Sequence, residues 1–211
     1  MNTKVGLISL GCAKNLVDSE HMLARLRQAG CEIVDDMNEA EVGIINTCGF
    51  IESAKAEAIE TILETAQCKQ GKMQGLVVTG CLAQRYREEI ERDLPEVDVI
   101  CGTGSYEDIV EAVEAASRRE KRAYFGPMDG ADLEGDRERL TPGYTAYFKI
   151  AEGCSNTCGY CIIPKLRGKY RSRDYDALLD EAKALSGAGV KELIVIAQDI
   201  TKYGIDLYGK R

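Results

Sequence analysis

Five short apolar runs alternate with helical patterns across the first 117 residues, and this alternation leaves few folds open. Residues 5–8, 32–34, 42–45, 76–78 and 97–100 read as strands. Residues 15–29, 53–66 and 84–94 read as helices. A further helix begins at Ser105, where Asp108 completes a capping box. Ile59, Ile62, Leu63 and Ala66 fall on one helical face. Strands that are apolar throughout, between amphipathic helices, predict an α/β fold with a doubly wound parallel sheet over residues 1–117.

The pattern breaks over 118–143, where Gly126-Pro127, Asp129-Gly130 and Pro142-Gly143 sit among many charges. That composition predicts a linker or an irregular extended segment. A second unit spans 144–211, with a strand at 146–150, a helix at 174–185 and a strand at 193–196. This is one βαβ unit. A complete (β/α) barrel needs roughly 200 residues or more, so the expectation is the beginning of a barrel, cut short.

Composition adds limits. The net charge of −8 argues against a surface that grips nucleic acid non-specifically. The charge is uneven: residues 1–140 hold 16 basic and 27 acidic side chains, and the remainder 11 and 8. No apolar run approaches the ~20 residues of a membrane-spanning helix. Nine cysteines form an odd set, which disfavours a disulfide framework in a chain large enough to bury a core. Reduced thiols in a cytoplasmic protein, available for metal, are expected.

Three cysteines share one structural place. Cys12, Cys48 and Cys81 each follow an apolar strand, in the words Leu10-Gly11-Cys12, Asn46-Thr47-Cys48 and Thr79-Gly80-Cys81. The C-termini of parallel strands lie along one edge, where ligands bind. Three thiolates there can converge on one point. Cys101 also ends a strand and is either a fourth ligand or a core residue. Cys31 and Cys68 read as structural, since buried cysteines are usually inert.

A tighter motif follows the first strand of the second unit. Cys154, Cys158 and Cys161 form C-x₃-C-x₂-C. Three close thiolates suit an iron–sulfur cluster, whose ligands are cysteines. Structural zinc is the rival, but it wants four ligands, and the single histidine, His21, is remote in sequence. Further along, Lys165, Arg167, Lys169, Arg171 and Arg173 alternate with other residues. In an extended segment all five would face one way, as a solvated edge or as a grip on substrate. On the second reading, Lys169→Glu with Arg171→Glu weakens substrate binding and leaves the iron content unchanged.

These words together resemble the radical S-adenosylmethionine methylthiotransferase family, RimO type. The resemblance is carried by C-x₃-C-x₂-C with Tyr160 before the last cysteine, and by three strand-end cysteines ahead of it. Residues 9–20, 46–51 and 80–86 carry the flanking words, as do 149–154, 163–164, 167–168 and 171–173. A sister type modifies an adenosine of tRNA. It tends to have Gln-Met-Asn after its first cysteine, where this chain has Ala13-Lys14-Asn15.

The resemblance implies two [4Fe–4S] clusters. Cys154, Cys158 and Cys161 would hold the one that binds S-adenosyl-L-methionine at its open iron, and the reductively formed 5′-deoxyadenosyl radical would abstract hydrogen from an unactivated carbon. Cys12, Cys48 and Cys81 would hold an auxiliary cluster that carries the inserted sulfur. The implied substrate is the β carbon of an aspartate in a small-subunit ribosomal protein, with a tRNA adenosine as the alternative. Gln198 and Asp199 follow the second barrel strand and would contact S-adenosylmethionine or substrate, or else cap a local turn. The acidic first unit would steer a basic ribosomal protein toward the site. A non-catalytic, metal-stapled module is the remaining alternative.

Overall fold

The computed structural model describes residues 2–130 and 133–209. Residues 131 and 132 of the linker reading, and 1, 210 and 211 at the ends of the two units, lie outside the described residues. The chain opens with β1 (Lys4–Ser9), α1 (Ala13–Gln28), β2 (Glu32–Val34), β3 (Val42–Thr47) and α2 (Glu52–Ala66). Then come β4 (Gly75–Gly80), α3 (Cys81–Arg85), α4 (Arg87–Asp93), β5 (Val99–Cys101), α5 (Ile109–Ser117) and β6 (Arg122–Tyr124).

These strands form one parallel sheet in the order β2-β1-β3-β4-β5-β6. Both central strands, β3 and β4, are buried along their whole length. Successive side chains of a strand point to opposite faces, so Ile44 and Val77 enter one core while Ile45 and Val78 enter the other. The first core packs α1 and α5 on the sheet through Met22, Leu26, Ile109 and Val113. The second packs α2, α3 and α4 through Ala58, Ile62, Leu82 and Ile90. The doubly wound expectation holds.

Three local expectations do not. The helix read over 84–94 is two helices, because Tyr86 leaves helical geometry (φ −124°, ψ 37°) between α3 and α4. The capping box at Ser105 does not form: the Ser105 hydroxyl accepts from the Gly126 amide at 2.7 Å instead. The segment read as irregular from 118 contains β6, a strand too short and charged for a periodicity signal. That same segment is pinned down. Glu138 N–H donates to the Glu20 carbonyl at 3.0 Å, and Arg137 bonds the carboxylates of Glu20 and Glu181.

The remainder comprises β7 (Thr145–Lys149), β8 (Ala151–Glu152), α6 (Ile163–Arg167), β9 (Arg171–Ser172), α7 (Tyr175–Gly187), β10 (Glu192–Ile196) and α8 (Ile205–Tyr208). β7 and β10 pair in parallel, with Lys149 opposite Ile196. Asp174 caps α7 by accepting from the Ala177 amide at 3.0 Å, and α7 returns the chain to β10. β8 and β9 form a small antiparallel pair.

Candidate functional site

Register places the first three cysteines. Ser9, Asn46 and Thr79 stand side by side on β1, β3 and β4. Cys12 lies three residues beyond Ser9, and Cys48 and Cys81 lie two beyond Asn46 and Thr79. Neighbouring strands are about 4.8 Å apart, so three thiol-bearing turns leave one sheet edge together. Gly11 takes φ +88°, and a Cβ there would fall 3.2 Å from Cys48 Sγ. The backbone of the first turn therefore runs against the second cysteine. Cys12 stands at the cap position just before α1, where its thiol makes no capping hydrogen bond, and Cys81 is the first residue of α3. Cys12 is exposed, Cys48 half-buried and Cys81 buried. Burial pushes the Cys81 thiol pKa up, and the nearby Arg167 guanidinium opposes that shift.

The second triad follows β8 on a loop tied at several points. Cys154 N–H donates to the Gly168 carbonyl at 3.0 Å, and Cys161 N–H to the Cys158 carbonyl at 3.0 Å. Inside the loop, Ser155 Oγ accepts from the Tyr170 amide at 3.0 Å. Asn156 accepts from Lys202 Nζ and donates to Asp199 at 3.5 Å. Cys154 is buried, Cys161 half-buried and Cys158 exposed.

All nine cysteines are free thiols. Among the described residues no three His, Cys, Asp or Glu side chains are drawn around one point as a metal site. The fit to a cluster therefore rests on donor type and placement: three sulfurs gathered from three turns at one sheet edge, three more on a single loop, and no histidine among either set. Cys31 and Cys101 sit in the core against Val5 and Val99, and burial raises both thiol pKa values. Cys68 points its thiol at Asn38 Oδ1, 3.7 Å away. These three have structural surroundings.

Between the two cysteine loops lies a buried ion cluster. Asp18 of α1 meets Lys149 of β7 at 2.6 Å and Arg167 of α6 at 2.6 Å. Glu152 of β8 meets the same two cations at 3.1 and 3.3 Å. All four side chains are under a tenth exposed. Burial alone would raise the carboxyl pKa values, but Lys149 and Arg167 hold both Asp18 and Glu152 below the usual range. The other Glu152 oxygen accepts from the Gly153 amide at 3.0 Å and from Gln198 Nε2 at 2.9 Å. Arg167 also donates to Asn15 Oδ1. Asn15 Nδ2 in turn bonds the Leu10 and Thr47 carbonyls at 3.1 and 2.9 Å, at the ends of β1 and β3.

This cluster corrects the reading of residues 165–173 as one extended face. Pro164 stands in the first turn of α6, and Gly168 takes φ +74°, so the segment is a helix followed by a turn. Arg167 and Arg173 are buried, Lys165 and Lys169 exposed, and Arg171 lies between. Gln198 serves Glu152, while Asp199 caps the short helical turn Ile200–Lys202 by accepting from the Thr201 amide at 3.1 Å. Asn15, Asp18, Lys149 and Glu152 drew no individual role from sequence. Each is a single polar residue in an otherwise patterned element.

His21, one turn from Asp18, makes a pH prediction. Its Nδ1 bonds the Asp136 carbonyl at 3.1 Å, and its buried Nε2 has no hydrogen-bond partner. A ring nitrogen facing a carbonyl must carry hydrogen, so Nε2 is the bare nitrogen. Burial, then the charges of Lys149 and Arg137, push its pKa down to about 3 from 6.5. The unfolded chain then binds a proton that the native chain refuses. Stability falls as pH drops below about 6.5, by up to roughly 1.4 kcal/mol per pH unit. Denaturation at pH 7, 6 and 5 should show that slope, and His21→Gln should flatten it by one proton.

A family model described as uncharacterized protein family UPF0004 matches residues 4–102. A chain of a cobalamin-dependent S-adenosylmethionine radical enzyme, OxsB, aligns over 94% of this chain and 34% of its own at a TM-score of 0.59 and 11% identity. At that identity the likeness is one of fold, and it places the chain in this α/β class. "Ribosomal protein uS12 methylthiotransferase RimO" of Clostridioides difficile is 54% identical over 98% of this chain. The proteins of that name from Geobacter sulfurreducens and Symbiobacterium thermophilum are 53% and 50% identical, each over 98% of this chain. The three alignments take in 47%, 47% and 43% of those relatives, so the chain spans about half their length. Over the length it spans, the chain is similar to these proteins named ribosomal protein uS12 methylthiotransferase RimO.

Proposed function

We propose that this chain carries both cluster-binding cysteine triads of a methylthiotransferase that acts on a ribosomal protein of the uS12 kind, at an aspartate β carbon. The observation that supports the reading is the placement of the two triads. Each stands beyond C-terminal strand ends, and α3, which begins at Cys81, packs near α6, which follows Cys161; Thr103 just beyond β5 bonds the Leu166 carbonyl of α6 at 2.6 Å.

In this reading Cys12, Cys48 and Cys81 hold one [4Fe–4S] cluster and Cys154, Cys158 and Cys161 the other. Bound clusters and S-adenosylmethionine supply the one-electron chemistry that opens an unactivated C–H bond and delivers sulfur. The chain supplies position. Asn15 ties down the strand ends that lead to Cys12 and Cys48. Glu152 anchors the amide that leads to Cys154. Asp199 and Lys202 hold Asn156 between Cys154 and Cys158. Gln198 bonds Glu152 beside this loop, and its buried Oε1 has no protein partner, which leaves it to meet S-adenosylmethionine or substrate.

The test is reductive cleavage of S-adenosylmethionine by the anaerobically reconstituted chain. Release of 5′-deoxyadenosine should persist when Cys12, Cys48 and Cys81 are changed to alanine. It should vanish when Cys154, Cys158 and Cys161 are changed. Cleavage that depends on neither triad would refute the assignment.

A further inference from the structure

We propose that Arg167 is the positioning residue that fixes the two cysteine loops relative to one another. Its two guanidinium nitrogens face in different directions. One donates to Asn15, the residue that clamps the ends of β1 and β3 ahead of Cys12 and Cys48. The other meets Asp18 at 2.6 Å and Glu152 at 3.3 Å, and Glu152 holds the Gly153 amide ahead of Cys154. Arg167 itself lies six residues after Cys161, and the Gly168 carbonyl beside it accepts the Cys154 amide. A single planar side chain thus touches the supports of both loops.

Neighbouring observations say why this must be arginine. The site asks for a fork. Lys149 already supplies a point charge to Asp18 and Glu152, at 2.6 and 3.1 Å. What Lys149 does not reach is Asn15. A lysine at 167 would keep the charge count of the buried cluster but could not span Asn15 and the carboxylates with a rigid plane. Asn15 Nδ2 bonds the Leu10 and Thr47 carbonyls, which orients the Oδ1 that Arg167 uses, and Asn46 Nδ2 holds the Asn15 backbone by donating to its carbonyl at 2.8 Å and to Ser19 Oγ at 2.9 Å. That these loops hold clusters rests on the functional reading above; that Arg167 couples them does not.

The experiment compares amide exchange in the metal-free full chain with Arg167→Lys and Asn15→Ser. Leu10 and Leu16 report the first loop, Cys154 and Cys161 the second, and the buried amides of β3 and β4 report global opening. Either substitution is expected to speed exchange on the order of tenfold at the reporters of both loops, with the β3 and β4 amides nearly unchanged. Asn15→Ser must therefore loosen Cys154, on a different element more than a hundred residues away in sequence. Acceleration confined to the altered residue's own loop overturns the proposal, as does equal acceleration of the β3 and β4 amides, which would make the role one of general stability. After reconstitution, the magnetic interaction between the two reduced clusters gives an independent signature. It should be sharp in the parent chain and broadened in Arg167→Lys at equal iron content. A parent chain that takes up no iron would sink the functional reading and leave the exchange result to decide the role of Arg167.

Discussion

Gly153→Ala removes iron from the second triad, leaves the first loaded and destabilises the chain by about 2 kcal/mol or more. Gly153 takes φ +72°, where an L-residue is strained. A Cβ there would lie 2.0 Å from the Lys169 carbonyl oxygen and 2.7 Å from that of Gly168. Both obstacles are backbone, so no rotamer change relieves them. The Cys154 amide loses its bond to Gly168 when the strands part, and the β8–β9 pair, with Glu152 opposite Arg171, is forced open. Gly159 provides the internal control. It lies in the same loop with ordinary φ, and a Cβ there meets nothing within 4 Å. Gly159→Ala should change neither stability nor iron. Denaturant titration and iron per chain on both variants check the contrast, and an unchanged iron content in Gly153→Ala would contradict it.

Lys149→Met should cost about 3–5 kcal/mol, the usual effect of breaking a buried ion pair by removing one partner. Lys149 is 3% exposed and serves two carboxylates. Its loss leaves Asp18 and Glu152 sharing Arg167, and one carboxylate oxygen of Asp18 loses its cation in a buried site. The destabilisation should also change with pH in a defined sense. Burial would raise the Asp18 pKa, yet the two cations hold it below its ordinary value of 3.8. In the parent chain this contribution is complete above that value and is lost as pH falls below it. Without Lys149 the native carboxyls rise, and stability should stop falling, or increase, as pH drops from 7 toward 5. Replacing all four charged residues by neutral side chains of similar shape should recover much of the loss, since whole buried ion clusters seldom add net stability. Denaturation curves of the single and fourfold variants, each at two pH values, test both statements.

The sheet was legible from sequence because its central strands are buried on both faces. Ile44-Ile45 and Val77-Val78 leave no polar side to confuse the period. The cysteine placement was legible for a related reason: a parallel sheet sends every strand end to one edge, so a repeated position after each strand becomes a position in space. The polar cluster was not legible in that way. Asp18 lies on a helix that would serve equally well with a solvent-facing acid there. Lys149 ends a strand, and Arg167 looked like one member of an alternating basic run. Only Pro164 in the first turn of α6 and Gly168 at positive φ break that alternation and send Arg167 inward. The Ser105 capping box failed because Gly126, 21 residues away, competes for the same hydroxyl. Local motifs lose to tertiary partners that no window around them contains.

Iron, acid-labile sulfide and zinc per chain, measured after anaerobic purification and reconstitution, test the central claim most directly. About eight irons with matching sulfide is the predicted result, one four-iron cluster for each cysteine triad. Zinc bound without iron would contradict the account and leave a metal-stapled structural module in its place.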